Sequence, residues 1–600
     1  MRWVGGWAWR VGGALGIIWL VGVALLAPPG PLSSTSDPHL SERLHRAVQE
    51  LDVLKRQNDD IRQALQDFTQ QVKSLNSDGA EVAANTVKTN SNPAVVAELQ
   101  RKLEHAQRML QQADVTAERK SGFSDFTPSL EFELTRRQVE KGVQEMWWYT
   151  CDQLHQLRKK VEMHTEAKEH IDQILEEGLD HTRVIQYDMT KLSKLDGLGT
   201  WREQEAADLS NLVQRRLHDL QNPPDCSKAK KLVCNLNKGC GYGCQIHHVV
   251  YCFIVAYGTK RTLILKSRGW RYNKNGWEDV FRPLSDSCIS PNGNTHSHWP
   301  GTNDTQVLDL PIIDTLSQRP PFLPLAIPKD LSDRLTRLHG DPAAWWVGQF
   351  LKYMLKPQPK TQDMLDNLAE TLGFQKPIVG VHVRRTDKVG TEAAFHSIDE
   401  YMGHVESYFT TLKMTQPDVV KRVYLASDDP TVITEAQKKF PDYTFIGDSN
   451  IARTAAVATR YTDASLKGII ADVHFLSLTD HLVCTFSSQV CRIAYEIMQS
   501  FHPDASGFFR SLDDIYYYGG QNAHNQRVRF PHTPRRSDEL SLIPGDIVGI
   551  AGNHWDGYSK GMNRRTRQNG LYPSYKVEEV VDIADFPIYA DNQNQKGRGA

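Results

Sequence analysis

The sequence predicts an α/β protein, with a helical stem before the α/β region and a small β-barrel after it. Three observations carry that expectation. Ile378, Val379, Val381 and Val383 form a near-continuous apolar run of the kind found in buried parallel strands, and it stops abruptly at Arg384-Arg385. Apolar residues from Leu40 to Leu75 recur in alternating steps of four and three, which is a coiled-coil seam. Between Asp538 and Tyr575, short β-prone runs alternate with turn residues, the pattern of a small barrel.

Six hundred residues exceed one hydrophobic core, so three or four structural units are expected. With 70 basic and 72 acidic side chains the formal net charge is −2, which removes any global electrostatic case for nucleic acid. Arg2 and Arg10 precede an uncharged run over residues 11–36 whose apolar heart is 11–27. At about 1.5 Å per residue that heart nearly crosses a hydrocarbon core. Trp3, Trp7 and Trp9 suit the membrane interface, and the arginines suit its cytoplasmic side. A cleaved signal peptide is the alternative, but Pro28-Pro29 directly after Ala27 is a poor context for cleavage. The expectation is a cytoplasmic tail at 1–10, an uncleaved signal anchor at 11–30 and a lumenal remainder.

The stem is placed at 31–125. Leu44, Leu51, Asn58, Leu65 and Val72 take the a positions of the seam, and Asn58 is the single buried polar residue that fixes register and a two-stranded state. An amphipathic helix packed on its own domain is the alternative. Residues 76–93 break the pattern with Gly, Asn, Ser and Thr, and Val96 to Ala113 resume it. A helical region follows at 126–225, with Met146, Trp147 and Trp148 as packing anchors and Pro223-Pro224 as its end.

In the α/β region, residues 249–256 and 262–266 read as strands, and 331–338 and 345–355 as helices. Of the nine cysteines, all but Cys151 lie from Cys226 onward, which in an oxidising compartment reads as a disulfide set. Cys240, Cys244, His247 and His248 invite a zinc reading, but their spacing is not that of a standard finger. Gly239, Gly241 and Gly243 allow the backbone to approach a ligand, or serve a tight disulfide loop.

Open α/β sheets bind ligands beyond the carboxyl ends of their strands, which is where Arg384 and Arg385 stand. Two permanently charged guanidiniums suit a diphosphate; a surface salt-bridge pair is the alternative. Lys388, Glu392 and His396 follow at four-residue spacing, and if that piece is helical Lys388 sits beside Glu392. A cation for a leaving phosphate and a carboxylate for proton abstraction in one short segment equip the chain for inverting sugar transfer. Residues 423–426 form a second strand ending at Asp428, which can bind ribose hydroxyls, orient an arginine or cap the next helix. After a last strand at 482–486, Ser487-Ser488 opens a helix over 490–498, where free N–H groups suit a phosphate or the serine is a plain cap.

V-H-V-R-R-T-D-K-V-G-T-E-A-A-F-H at 381–396, S-S-Q-V-C-R-I-A-Y-E at 487–496 and N-H-W-D-G-Y-S-K-G at 553–561 resemble the α-1,6-fucosyltransferases that modify the core of N-linked glycans. The match runs from Arg137 to Lys576. The resemblance implies a GT-B-like catalytic region: an open α/β subdomain at 226–360 and a Rossmann-like GDP-fucose-binding subdomain at 361–519. An SH3-like domain at 520–582 and a loose tail at 583–600 complete it. It implies a homodimer paired through stem helices, a single-pass type II Golgi membrane protein, and transfer of fucose from GDP-fucose to a glycoprotein acceptor.

Under the resemblance, Glu392, Lys388 and Arg384 are catalytic. Arg384, Arg385, His382, Tyr272, Asp428 and Ser488 bind the donor, with Asp472 paired to the guanine edge. Lys238, Asp314, Asp513, Asp514, Tyr517 and His554 bind the acceptor, and Tyr242 lines the sugar site beside Lys238. The disulfides implied are Cys226 with Cys288, Cys234 with Cys252, Cys240 with Cys244, and Cys484 with Cys491. Gln318, Arg319, Pro320, Pro321, Phe322, Leu323 and Pro324 match an SH3-ligand motif, although such prolines also shape loops. No D-x-D pair is present, so Arg384, Arg385 and Lys388 are expected to neutralise the leaving GDP in place of a metal. The barrel lacks the usual A-L-Y-D-Y strip, which argues against ordinary proline-peptide binding. Asn303-Asp304-Thr305 is a glycosylation sequon expected at the surface. Another GDP-sugar transferase, such as a protein O-fucosyltransferase, and a non-catalytic glycan-binding scaffold are the alternatives.

Overall fold

Helix α1 (Leu130–Lys160) opens where the chain offers a cap: Ser129 Oγ accepts the Phe132 N–H at 3.1 Å, and Glu131 and Glu133 occupy the first turn. This computed structural model describes residues 127–589, apart from 313–315, 317, 387–389, 391–393, 456–458 and 520–523. The expected cytoplasmic tail, anchor and coiled-coil stem with Asn58 lie outside the described residues, as do Lys388, Glu392 and Asp314. Among the described residues no helix is long and apolar enough to cross a membrane.

α2 (Thr165–Leu195) folds back along α1, and α3 (Gly199–Gln221) completes the helical region. Arg158 meets Asp172 at 2.5 Å near the turn and Gln186 Nε2 donates to Gln144 at 2.6 Å farther along, so the pair is antiparallel. Trp147 is an anchor as expected: a Cβ on Gly178 would stand 2.7 Å from its ring. Trp148 anchors elsewhere, edge-on to Trp555 of the barrel at 5.1 Å, with the Arg510 guanidinium 4.3 Å from its ring centre. Met146 is no anchor, being 63% exposed. Successive helical residues point about 100° apart, so three in a row cannot share one buried face.

The first α/β subdomain comprises β1 (Lys231–Asn235), α4 (Tyr242–Gly258), β2 (Thr262–Lys266), β3 (His296–His298) and β4 (Val307–Leu310), in a wholly parallel sheet of order β2-β1-β4-β3. Residues 249–256, expected as a strand, belong instead to α4, which is buried along nearly its whole length. A continuous apolar run carries neither the helical nor the strand period, and only its 17-residue extent decides for helix. β5 (Ala326–Pro328), α5 (Lys329–Leu338), α6 (Pro342–Met354) and α7 (Pro359–Leu372) lead into the second subdomain.

There β6 (Ile378–Val383), α8 (Ile398–Lys413), β7 (Arg422–Ser427), α9 (Val432–Lys439), β8 (Thr444–Ile446), α10 (Ser449–Thr454), α11 (Asp463–Leu478), β9 (His481–Cys484), α12 (Gln489–Met498) and β10 (Phe509–Ser511) form a parallel sheet of order β10-β9-β6-β7-β8. β6 is central and buried at every position, as its unbroken apolar run requires. The barrel follows: β11 (Asn525–Val528), β12 (Ile547–Asn553), β13 (Tyr558–Asn563), β14 (Asn569–Pro573) and β15 (Val577–Glu579) pair antiparallel around Val528, Leu540, Leu542, Val548, Tyr572 and Val577.

The chain after the barrel is not a loose tail over its described part. β16 (Asp582–Ala584) pairs in parallel with β5, Phe586 is buried against Trp346 and Phe322, and Tyr589 stacks on Tyr257 with ring centres 4.4 Å apart. Polar composition hid this, because Ala584, Phe586 and Tyr589 are few but each fills a core position. The same packing buries Phe322, Leu323 and Pro324 of the proline-rich segment, leaving Gln318, Arg319 and Pro321 outward, so in this fold the motif shapes a core loop.

The two subdomains meet along α4 and α12. Glu496, fully buried within α12, accepts from His247 Nε2 at 2.9 Å and from the Tyr516 hydroxyl at 2.8 Å, while the Tyr518 hydroxyl donates to the His247 carbonyl at 2.5 Å. Gly348 lets α6 come close, since a Cβ there would strike the Glu496 carbonyl. Glu496→Ala strands His247 and Tyr516 without their acceptor and is expected to cost about 3 kcal/mol, against a smaller loss for Glu496→Gln, read from chemical denaturation.

Candidate active site

Arg384 leaves the carboxyl edge of the second sheet directly after buried β6. Asp428, 5% exposed at the end of the neighbouring strand β7, gathers that loop: it takes Arg384 Nη1 at 2.7 Å, the N–H groups of Arg385 at 2.8 Å and Thr386 at 3.0 Å, and the Thr386 hydroxyl. Of the roles open to Asp428, orienting an arginine is one the fold shows. Burial raises its carboxyl, but Arg384 and the converging donors outweigh that and hold it below its ordinary value. His382 is buried with its Nδ1 unpartnered, and burial pushes its imidazole down to about 4. Arg385 pairs with Glu435 at 2.8 Å and lies 5.1 Å from the Phe395 ring.

Of the stretch 388–396 considered as a helix, the described residues are not helical: Gly390 has a left-handed φ of 80°, and residues 394–396 are irregular. α8 starts only at Ile398, with a capping box between Ser397 and Glu400, and His396 bonds Glu400 at 2.8 Å.

Aromatic residues of the first subdomain stand against a loop of the second. The Tyr242 N–H donates to the Tyr272 hydroxyl at 2.9 Å, Tyr461 lies edge-on to Tyr272 at 5.1 Å, and Arg271 stacks over Tyr461 at 3.8 Å. Burial pushes the Tyr272 phenol up to about 12 while Arg460 and Arg384 pull it back, which places both cations within electrostatic reach of this ring. Arg271, Arg460 and Tyr461 escaped the sequence reading. An Arg-Tyr doublet in a loop has no spacing to mark it.

Asp472 lies on α11 in a pocket shared with Ser427, Asp429 and Asp448 beyond the end of β7, and accepts the Tyr424 hydroxyl at 2.9 Å. Burial raises its carboxyl to about 7. Ser488 is the buried N-cap residue just before α12, but its side chain makes no capping bond, so the plain-cap alternative is not used. The starts of α12 and α4 abut, since a Cβ on Gly243 would meet Gln489 Cβ at 2.7 Å.

The residues expected at the acceptor are partly gathered. Asp514 borders the barrel at Gly552, two residues before His554, and Tyr517 stacks with Arg492 at 4.2 Å. Lys238 lies on the turn between β1 and α4, where its carbonyl accepts from Gln245 at 2.9 Å. Asp513 is engaged differently: its Oδ1 takes the Phe486 N–H at 2.8 Å, the Ser511 hydroxyl at 2.9 Å and the Asp514 N–H at 2.7 Å, and its Oδ2 takes the Ser487 N–H at 3.2 Å. All four implied disulfides are present. Cys240 and Cys244 are therefore bonded to each other, not to a metal. Cys234, His248 and Cys252 have ligand-like proximity, yet their thiols too are joined.

The profile described as "Alpha-(1,6)-fucosyltransferase N- and catalytic domains" matches residues 1–517, and that described as "Variant SH3 domain" matches 528–578. The chain belongs to the alpha-(1,6)-fucosyltransferase family. The alpha-(1,6)-fucosyltransferase of Drosophila melanogaster is 61% identical over 469 residues, covering 78% of this chain and 76% of that protein. That of Caenorhabditis elegans is 46% identical over 406 residues, covering 67% and 72%. Among solved structures, the fucosyltransferase NodZ from Bradyrhizobium is 14% identical over 45% of this chain and 92% of its own, with a TM-score of 0.29, a likeness too slight to bear on the site. This fucosyltransferase is thus a glycosyltransferase with an SH3-type barrel fused to its α/β catalytic region.

In this fucosyltransferase, Asp428→Asn should cost about 3 kcal/mol at pH 7, because Arg384 loses a buried counter-charge. The folded carboxyl lies below its ordinary 3.8, so the pair stabilises above about pH 4 and fades as pH falls through the folded value. Denaturation curves of the two proteins should therefore converge on acidification.

Proposed function

We propose that the protein transfers L-fucose from GDP-fucose to O6 of the innermost Asn-linked GlcNAc of N-glycans, with inversion and without a divalent metal. The observation that carries the reading is the Arg384 guanidinium, fixed by Asp428 at the strand edge in electrostatic reach of Tyr272 on the opposite subdomain. A cation so held needs no reorganisation when charge develops on the leaving diphosphate.

Glu392 takes the O6 proton as the oxygen bonds to the anomeric carbon; the bond from that carbon to the β-phosphate oxygen breaks, and GDP leaves with its electron pair. Lys388 steadies that phosphate and orients Glu392. Both assignments rest on their spacing after the arginine pair, and base catalysis of this kind contributes about 10²- to 10⁴-fold. Arg385, His382, Tyr272 and Ser488 complete the donor site, and Lys238, Asp314, Asp514, Tyr517 and His554 hold the glycan.

The working form is a homodimer anchored by its N-terminus in the Golgi membrane. The α1–α2 hairpin exposes Val139, Met146, Leu157, Leu192 and Leu195, apolar area that a second copy would cover. Four disulfides fit a lumenal, oxidising setting.

With GDP-fucose and a biantennary glycopeptide, Arg384→Ala should lower turnover at least about 10²-fold in folded protein, whereas EDTA leaves the rate unchanged. Strong EDTA inhibition ends the metal-free reading. A pH profile tests the guanine assignment. Asp472 must be ionised to accept the guanine N–H groups, and its carboxyl stands at about 7 without donor, so GDP affinity should climb from pH 6 to 8. Asp472→Asn should flatten that climb; a climb that persists removes Asp472 from the base.

A further inference from the structure

We propose that Asp513 is a positioning residue for the donor phosphates and not a ligand of the glycan: it holds the turn at 485–488 so that the open first turn of α12 is presented to the diphosphate. The proposal rests on the donor reading above and assigns one more residue to it. β9 lies beside β6, with Val483 opposite Val381, so the turn after β9 and the Arg384 loop leave the same edge of the sheet. Asp513 spans two successive amides of that turn, Phe486 at 2.8 Å and Ser487 at 3.2 Å, and Ser511 Oγ doubles the hold on Phe486 at 3.2 Å.

A bare carboxylate beside a diphosphate would repel it. Here four donors converge on the Asp513 carboxylate, three on Oδ1 and one on Oδ2. Ser488 spends no side-chain oxygen on capping, so the first-turn N–H groups of α12 keep the anion-binding capacity of an uncapped helix start. A second feature points to a ligand at this edge: His382 on β6 is 5% exposed, yet its Nδ1 has no partner. The Cys484–Cys491 disulfide fastens one side of the turn and Asp513 fastens the other.

The test is calorimetric titration of GDP into the full chain, followed by separate KM values for GDP-fucose and glycopeptide. Asp513→Asn puts an amide NH₂ against one of the two backbone donors. It should weaken GDP about tenfold and raise the KM for GDP-fucose in step, with the glycopeptide KM within twofold and the melting temperature close to that of the unsubstituted protein. Asp514→Asn should leave GDP affinity within twofold. A raised glycopeptide KM with unchanged GDP affinity in Asp513→Asn overturns the proposal. If that variant does not fold, Ser511→Ala decides: a loss of about threefold in GDP affinity supports the proposal, and none overturns it. GDP is titrated first into the unsubstituted protein; failure to bind there sinks the donor reading itself, a result separate from any variant-specific loss.

Discussion

A single buried carboxylate fixes the geometry on which the rest depends. Glu496 sits inside α12 with no solvent to share its charge, and His247 from the other subdomain and Tyr516 supply what water would have given. Because α4 and α12 both begin at the cleft, locking them side by side also sets the separation of Tyr242 and Tyr272 from Ser488 and the Arg384 loop. The cleft is therefore defined by a contact made well behind it. Apolar packing alone would tolerate small slides of one helix on the other, whereas a bonded acceptor does not.

Two carboxylates of the nucleotide subdomain show how surroundings divide one chemistry into two. Asp428 meets an arginine and three further donors and stays ionised at its strand edge. Asp472, one helix away, meets a phenol in a pocket without a cation and holds its proton to about neutrality. Both stand beyond the end of β7. One keeps a positive group in place; the other is poised to change state when a partner with N–H groups arrives.

How much of this was legible depended on whether the signal was local. β6 and its arginine pair could be read because a buried parallel strand writes itself as an unbroken apolar run and two guanidiniums at its end break it sharply. The region at 126–225 was expected to be helical and is, yet Met146 was misread because one face excludes its immediate neighbour. α4 was misassigned because total burial erases the period that separates helix from strand. Asp428 could be narrowed only to three roles, since choosing among them needs to know which loop lies opposite. Tyr461 was beyond reach in the same way: its surroundings are set by rings distant in sequence. The aromatic contact of Trp148 with Trp555, and the Arg510 guanidinium between them, belongs to this class too.

The strand after the barrel has a consequence for how the chain reaches its final form. Ile583 pairs with Ile327, and Phe586 fills a gap in the core around Trp346. The earlier of the two α/β layers thus lacks a strand and an aromatic plug until the chain has passed through the second layer and the barrel. During synthesis that layer waits with exposed apolar surface for residues that follow the barrel, and a chain cut directly after the barrel would have a complete cleft and an unfinished back.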